Sequence, residues 1–291
     1  MIPATGTTLN RAAQAVPPHA WFGVSAIFHY LGPSFAVLLF PYVGVLGVAW
    51  LRIASAALFF APLTHPVRTL RRLDRREWFL MGGLGASLAI MNCAFYLALD
   101  RLPISLVAAI EFVGTILIAL YGCRTLRNWA ALALAASGVF LLIQVSWSGD
   151  ILGLFWAFLN GALFLVYIVL GHRIAQSGAS AGIERLGAAM AISFVVVFPI
   201  GLTQAWTAFG DWRLLAAGIG VGICSSVIPY VCDQLAMTRL PRSTFALMLA
   251  LLPACAAIVG AIVLAQIPGL TDIIGIALVM AGVALHRPAA A

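Results

Sequence analysis

Residues 82–108 read GGLGASLAIMNCAFYLALDRLPISLVA, and 138 positions later residues 220–246 read GVGICSSVIPYVCDQLAMTRLPRSTFA. Ten of the 27 aligned positions are identical. They include Ser87 with Ser225, Leu97-Ala98 with Leu235-Ala236, and Arg101-Leu102-Pro103 with Arg239-Leu240-Pro241. Ser105 and Ala108 match Ser243 and Ala246. After an insertion of six, Ala133-Leu134 and Gly138-Val139 match Ala277-Leu278 and Gly282-Val283. Apolar composition raises chance matches, but Arg-Leu-Pro-x-Ser-x-x-Ala at a fixed offset marks an internal repeat. The two copies are residues 1–147 and 148–291.

Outward from that repeat, the chain is a succession of apolar runs. It has 291 residues, 63% hydrophobic and 9% charged, with a mean hydropathy of +1.08. Soluble domains carry about a quarter charged residues, so the bilayer must be this chain's solvent. A spanning helix takes about 20 apolar residues. Ten spans fit: 20–40, 43–63, 78–99, 103–122, 129–145, 152–171, 185–204, 213–232, 242–264 and 270–286. Pro41, Pro66, Pro103, Pro241 and Pro268 mark the expected turns. No strand-period pattern is long enough for a barrel, so helices must satisfy the backbone in lipid. The expected fold class is an all-α polytopic membrane protein of two inverted five-helix repeats.

The formal charge of +7 points to orientation, not to nucleic acid. All sixteen basic residues are Arg, and most lie in short loops between apolar runs. With the N-terminus placed in the cytoplasm, thirteen of the sixteen fall on the cytoplasmic side, among them Arg68, Arg71, Arg72, Arg75 and Arg76. Arg101 and Arg213 fall outside, and Arg52 lies within a span. That asymmetry orients the chain with both termini cytoplasmic in a cell inner membrane. The five cysteines form no CxxC and read as small buried residues; no metal site or cofactor is expected. The first apolar run exceeds the core of a signal peptide and no small-residue cleavage site follows, so it reads as an uncleaved helix.

Five helices per copy is an odd number, so the second copy runs through the membrane in the opposite sense. Inverted repeats are frequent in secondary transporters, with the substrate site at the repeat interface. The expectation is alternating access around a central site.

Trp50-Leu51-Arg52-Ile53, the segment RLPISLVAAIEFVGTILIAL at 101–120, YIVLGHR at 167–173, and Pro229-Tyr230 followed by Ala236 to Pro241 resemble motifs of the drug/metabolite transporter superfamily of EamA type, in its amino-acid exporter branch. Thr115 stands where that branch commonly has Pro, Leu252 and Gln266 where it commonly has Glu, and Asp233 where Glu is common. The resemblance implies export of amino acids, aromatic or threonine/homoserine-like or otherwise neutral, across the inner membrane. It implies no enzyme activity.

Polar residues within spans are the candidate site. Glu111 reads either as a group for a substrate amine or a proton, or as a structural partner of another polar residue. Arg52 lies nine residues into its span and Glu111 eight into a parallel one. Arg52 is therefore a candidate ion-pair partner, or a clamp for a substrate carboxylate. Asn92 and Tyr96, Ser226 and Tyr230 (each i, i+4) and Asn160 and Tyr167 (i, i+7) share helix faces and suggest a polar cavity wall. His29, Tyr30 and Thr115 complete the substrate-binding candidates. Trp156 is another, as an aromatic wall or an interfacial belt residue. Lipids are expected around the bundle, and protons are a candidate coupling ion. Other readings are export of a different small metabolite or drug, a passive channel, or an intramembrane enzyme. Against the last stand the absence of HExxH, of a paired intramembrane Asp and of a Ser-His constellation.

Overall fold

The computed structural model describes residues 16–122, 125–145, 150–175, 179–237, 248 and 251–286. The principal apolar helices among the described residues are α1 Pro18–Val43, α2 Val45–Thr64, α3 Arg75–Leu99, α4 Ile104–Gly122, α5 Leu126–Val145, α6 Ile151–Ala175, α7 Ala179–Ala205, α8, α9 Leu252–Leu264 and α10 Leu270–Leu285, with a short helix, Pro66–Leu70, between α2 and α3. Helix α8 has three parts, α-helical Trp212–Gly222, π-helical Ile223–Val227 and α-helical Ile228–Met237. Six of the helices are long and apolar enough to cross a membrane by length and composition. The chain is a polytopic helical membrane protein.

Burial runs opposite to that of a soluble fold. Leu58, Phe79, Phe140, Ile262 and many other large apolar side chains are exposed, while Arg52, Asn92, Glu111, Asn160, Ser225 and Ser226 are buried. A lipid-facing surface welcomes apolar side chains, and costly polar groups retreat into the bundle.

Helix α1 packs on α8 and α9, α2 on α7 and α8, α3 on α6 and α7, α4 on α6 and α9, and α5 on α10. Among these nine pairs, exchanging every helix n for n+5 returns the same set; the contacts of α4 with α10 and of α2 with α3 stand outside it. Where two helices meet most closely, glycine permits it. A Cβ on Gly138 of α5 would lie 2.5 Å from the Gly275 carbonyl oxygen of α10. One on Gly47 of α2 would lie 2.8 Å from the Ala205 nitrogen of α7.

Each end of the bundle has its own ties. At one end Gln204 Oε1 accepts from the N–H groups of Leu46 and Gly47, at 2.9 and 3.1 Å. Gln266 Oε1 likewise accepts from Ile104 N–H at 3.1 Å. Each amide satisfies donors that a helix start leaves free. Arg101 meets Asp150 there at 3.0 Å. At the other end Arg185 meets Glu77 at 2.8 Å, and Arg127 Nε donates to the Leu285 carbonyl at 2.6 Å. Helix α3 begins there with a capping box of Asp74 and Glu77.

Two expectations are corrected. Pro41 marks no turn: α1 continues through Pro33 and Pro41. The chain turns instead at Gly44, whose φ of 80° suits a residue without Cβ. Asp233, one residue beyond the span expected at 213–232, lies inside a helix, because α8 runs on to Met237. Pro241 and the first half of the span expected at 242–264 lie outside the described residues, apart from Met248.

Candidate functional site

Helix α8 supplies the platform of the site. Pro229 has no N–H, so the Ser225 carbonyl one turn earlier lacks its α-helical donor. The chain answers with a π-helical turn over Ile223–Val227, in which Ile228 N–H reaches the Ile223 carbonyl. Such turns are rare and recur at functional sites. Two neighbouring helices seat on it through glycine. A Cβ on Gly32 of α1 would lie 2.6 Å from Ser225 N, and one on Gly222 would lie 2.8 Å from the Arg52 carbonyl oxygen of α2.

Arg52 docks on this platform. Its Nε donates to Ser226 Oγ at 3.1 Å and its Nη2 to the Ser225 carbonyl at 3.3 Å. The Tyr96 ring of α3 lies 5.4 Å from the guanidinium carbon, within cation–π range. The third nitrogen, Nη1, is buried and has no hydrogen-bond partner.

Glu111 of α4 is buried with 7% of its surface exposed. The Asn160 amide of α6 stands beside its carboxyl. The closeness of the two helices follows from Gly161, whose Cβ would lie 3.8 Å from Glu111 Cα. Arg52 lies within electrostatic range of Glu111, yet the two form no contact ion pair. Among the described residues the ion pairs are Arg101–Asp150 and Arg185–Glu77. A pair between Arg52 and Glu111 therefore acts at a distance.

The remaining candidates take these places. Tyr30 is fully buried, within electrostatic range of Glu111 and Cys255, and its hydroxyl has no partner. His29 packs edge-on against Tyr30 at 5.4 Å and lies within range of Arg52. Tyr230 is within range of Arg52, Glu111 and Asp233, and Tyr167 is within range of Tyr230 and Asp233. Tyr96 is buried with a free hydroxyl. Asn92 turns to its own helix, donating to the Leu88 carbonyl at 2.7 Å. Trp156 is partly buried against the core. The Thr115 side chain lies outside the described residues.

Three groups escaped the sequence reading: Asp233, Ser25, and the Ser225 carbonyl freed by Pro229. Asp233 follows Ser226 by seven residues and Tyr230 by three, a helical spacing that could have drawn it in. Ser25 of α1 donates to the Pro229 carbonyl at 3.4 Å and stands beside the Asp233 carboxyl.

A helical bundle that buries an Arg and a Glu apart from each other belongs to a membrane protein, and comparison with known proteins gives its class. The chain belongs to the EamA-like transporter family, whose model matches residues 151–286. It is 34% identical over 238 residues to the threonine/homoserine exporter RhtA of Salmonella typhimurium, covering 81% of this chain and 79% of that one. It is 33% identical, with the same coverage, to the threonine/homoserine exporter RhtA of Escherichia coli. A crystal structure 20% identical in sequence, with a TM-score of 0.57, covers 92% of this chain and 96% of its own and shares the fold.

Proposed function

We propose that this protein is a secondary transporter that exports small neutral amino acids across the inner membrane by alternating access. One observation carries the reading. Arg52 and Glu111 are buried near each other in one polar core, opposite in charge, yet not in contact. Each side presents unused capacity: Nη1 of Arg52 has no partner, and the hydroxyl of Tyr30, within electrostatic range of Glu111, has none. Idle buried groups of this kind cost about 1–3 kcal/mol each. A zwitterion would satisfy both sides, its carboxylate on the Arg52 guanidinium and its ammonium on Glu111. The two protein charges cancel, and a zwitterion adds none, so the loaded core stays neutral.

The exchange symmetry of the helix pairs supports two inverted repeats, residues 1–147 and 148–291, with the site between them. The Arg distribution supports cytoplasmic termini. The relatives' names point to threonine and homoserine as first substrates to try. The test is counterflow in proteoliposomes loaded with unlabelled amino acid, over a panel of hydroxylated, aromatic and branched substrates. Exchange of labelled threonine or homoserine is the expected result. If no member of the panel exchanges, the amino-acid reading fails, and other small metabolites become the substrates to test.

A further inference from the structure

Asp233 has no part in the central site just proposed, yet it is a half-buried carboxylate inside a membrane helix. It forms no ion pair with any described residue. Its surroundings come from three helices: Ser25 of α1, Tyr167 of α6, and Tyr230 and Cys232 of α8 itself. The Tyr167 ring is held by stacking on Phe164, with centroids 6.0 Å apart and planes inclined by 24°.

The cluster shares two helices with the central site. On α8, Asp233 is seven residues beyond Ser226, the partner of Arg52. On α6, Tyr167 is seven residues beyond Asn160, the neighbour of Glu111. Both offsets are about 10 Å along the helix axis, and both run toward the end of the bundle whose loops carry the Arg residues.

The cluster also breaks the symmetry of the repeat. In the 138-residue register, Asp233 matches Phe95, which is buried and apolar. No residue from 88 to 99 of α3 is acidic; Asp100 beyond them is an exposed helix-end residue. This stretch of α8 therefore carries a carboxylate that the equivalent stretch of α3 lacks. A carboxylate within electrostatic range of two tyrosines suits a compact cation with N–H donors, because the acid takes the charge and aromatic rings attract a cation.

We propose that Asp233, with Tyr167 and Tyr230, is a cytoplasmic loading site for the primary ammonium group of the substrate, used before the substrate reaches Arg52 and Glu111. The inference rests on the amino-acid export reading and adds a sidedness to it. A charged mouth raises local substrate concentration and the rate of capture. It leaves the equilibrium across the membrane unchanged, so its effect is confined to the face that it serves.

The experiment compares Asp233→Asn, Asp233→Glu and the unaltered protein in inside-out and right-side-out membrane vesicles, with labelled threonine or the best panel substrate. Initial rates are measured against substrate concentration at each face and at several pH values. Asp233→Asn should raise the half-saturating concentration at the cytoplasmic face about tenfold and leave that at the outer face as it was. Asp233→Glu should restore most of the difference. An equal rise at both faces would overturn the proposal and put Asp233 in the central site. No change at either face would overturn it too. So would normal cytoplasmic saturation with a lost pH dependence, which would make Asp233 a proton carrier. Absence of exchange by the unaltered protein is a separate result, which removes the export reading itself and the loading site with it.

Discussion

Arg52 donates to the one Ser225 carbonyl that Pro229 deprives of its α-helical donor. A defect in α8 and a charge in α2 thus satisfy each other, and the guanidinium keeps one nitrogen over. Pro229→Ala returns the missing N–H to the helix. The Ser225 carbonyl then turns inward along its own helix, and Arg52 loses its seat. Thermal stability in detergent should hold or rise, since a proline inside a helix costs about 3 kcal/mol, while exchange falls. Loss of stability with normal exchange would show that the dock is not used.

Glu111 and Arg52 should behave as different kinds of residue. Arg52 holds two hydrogen bonds to α8, each worth about 1.5–3 kcal/mol for a charged donor. Arg52→Gln should therefore lower membrane yield. Glu111→Gln should leave yield near normal and cut exchange about tenfold or more. Because the two do not touch, the double variant should not regain the yield lost in Arg52→Gln. Recovery in the double variant would make the pair a structural one. Membrane yield and exchange, measured for all three variants, separate these outcomes.

The α5–α10 contact is a test of packing without chemistry. Gly138→Leu drives carbon into the Gly275 carbonyl and Val279. Overpacking of this kind costs about 1–3 kcal/mol, and the thermal midpoint in detergent should fall accordingly. Gly82→Ala is the control, since nothing lies within 4 Å of its added Cβ and its midpoint should not move.

Asp150 links α6 to the α3–α4 loop and sets a pH dependence. The Gly153 N–H first, and the Arg101 guanidinium with it, hold this carboxyl below its usual range. A carboxyl so lowered stabilises the fold fully above its unfolded value of about 3.9. The contribution is lost as pH falls through the lower folded value. The thermal midpoint of Asp150→Asn should therefore lie below that of the unaltered protein at pH 7, with the gap closing below about pH 4. A gap unchanged down to pH 3 would remove the carboxylate from the account.

Orientation has a direct check. A cysteine at position 70, beside the Arg residues at 68–76, should resist an impermeant thiol reagent added to intact cells and react once the cells are opened. Ready labelling in intact cells would invert the topology and move the proposed loading site to the outer face.

The apolar spans were legible in sequence because lipid demands long apolar runs. Arg52 and Glu111 were legible as well, since a charge within an apolar run stands out. What sequence could not give was contact. Equal depth suggested a pair, but rotation of two helices about their axes decides whether charges touch, and here α6 brings Asn160 to Glu111 and α8 brings Ser226 to Arg52. Pro41 misled because a proline inside a long membrane helix looks like one that ends it. Asp233 misled because it stands near the end of an apolar run, and hydropathy ends a span before the helix itself ends.

The π turn of α8 has a geometric consequence. Five residues wound in that way advance the chain by nearly one residue less of rotation than an α-helix would, about 100° at 3.6 residues per turn. Everything downstream, Tyr230 and Asp233 included, faces as if one residue fewer preceded it. The interior wall on that side is thus set by how the turn is wound as much as by side-chain identity. Winding all five residues as α-helix would swing both side chains by about a quarter of a turn, whereas deleting one residue between Ile223 and Val227 as the turn relaxes would leave them near their present bearing.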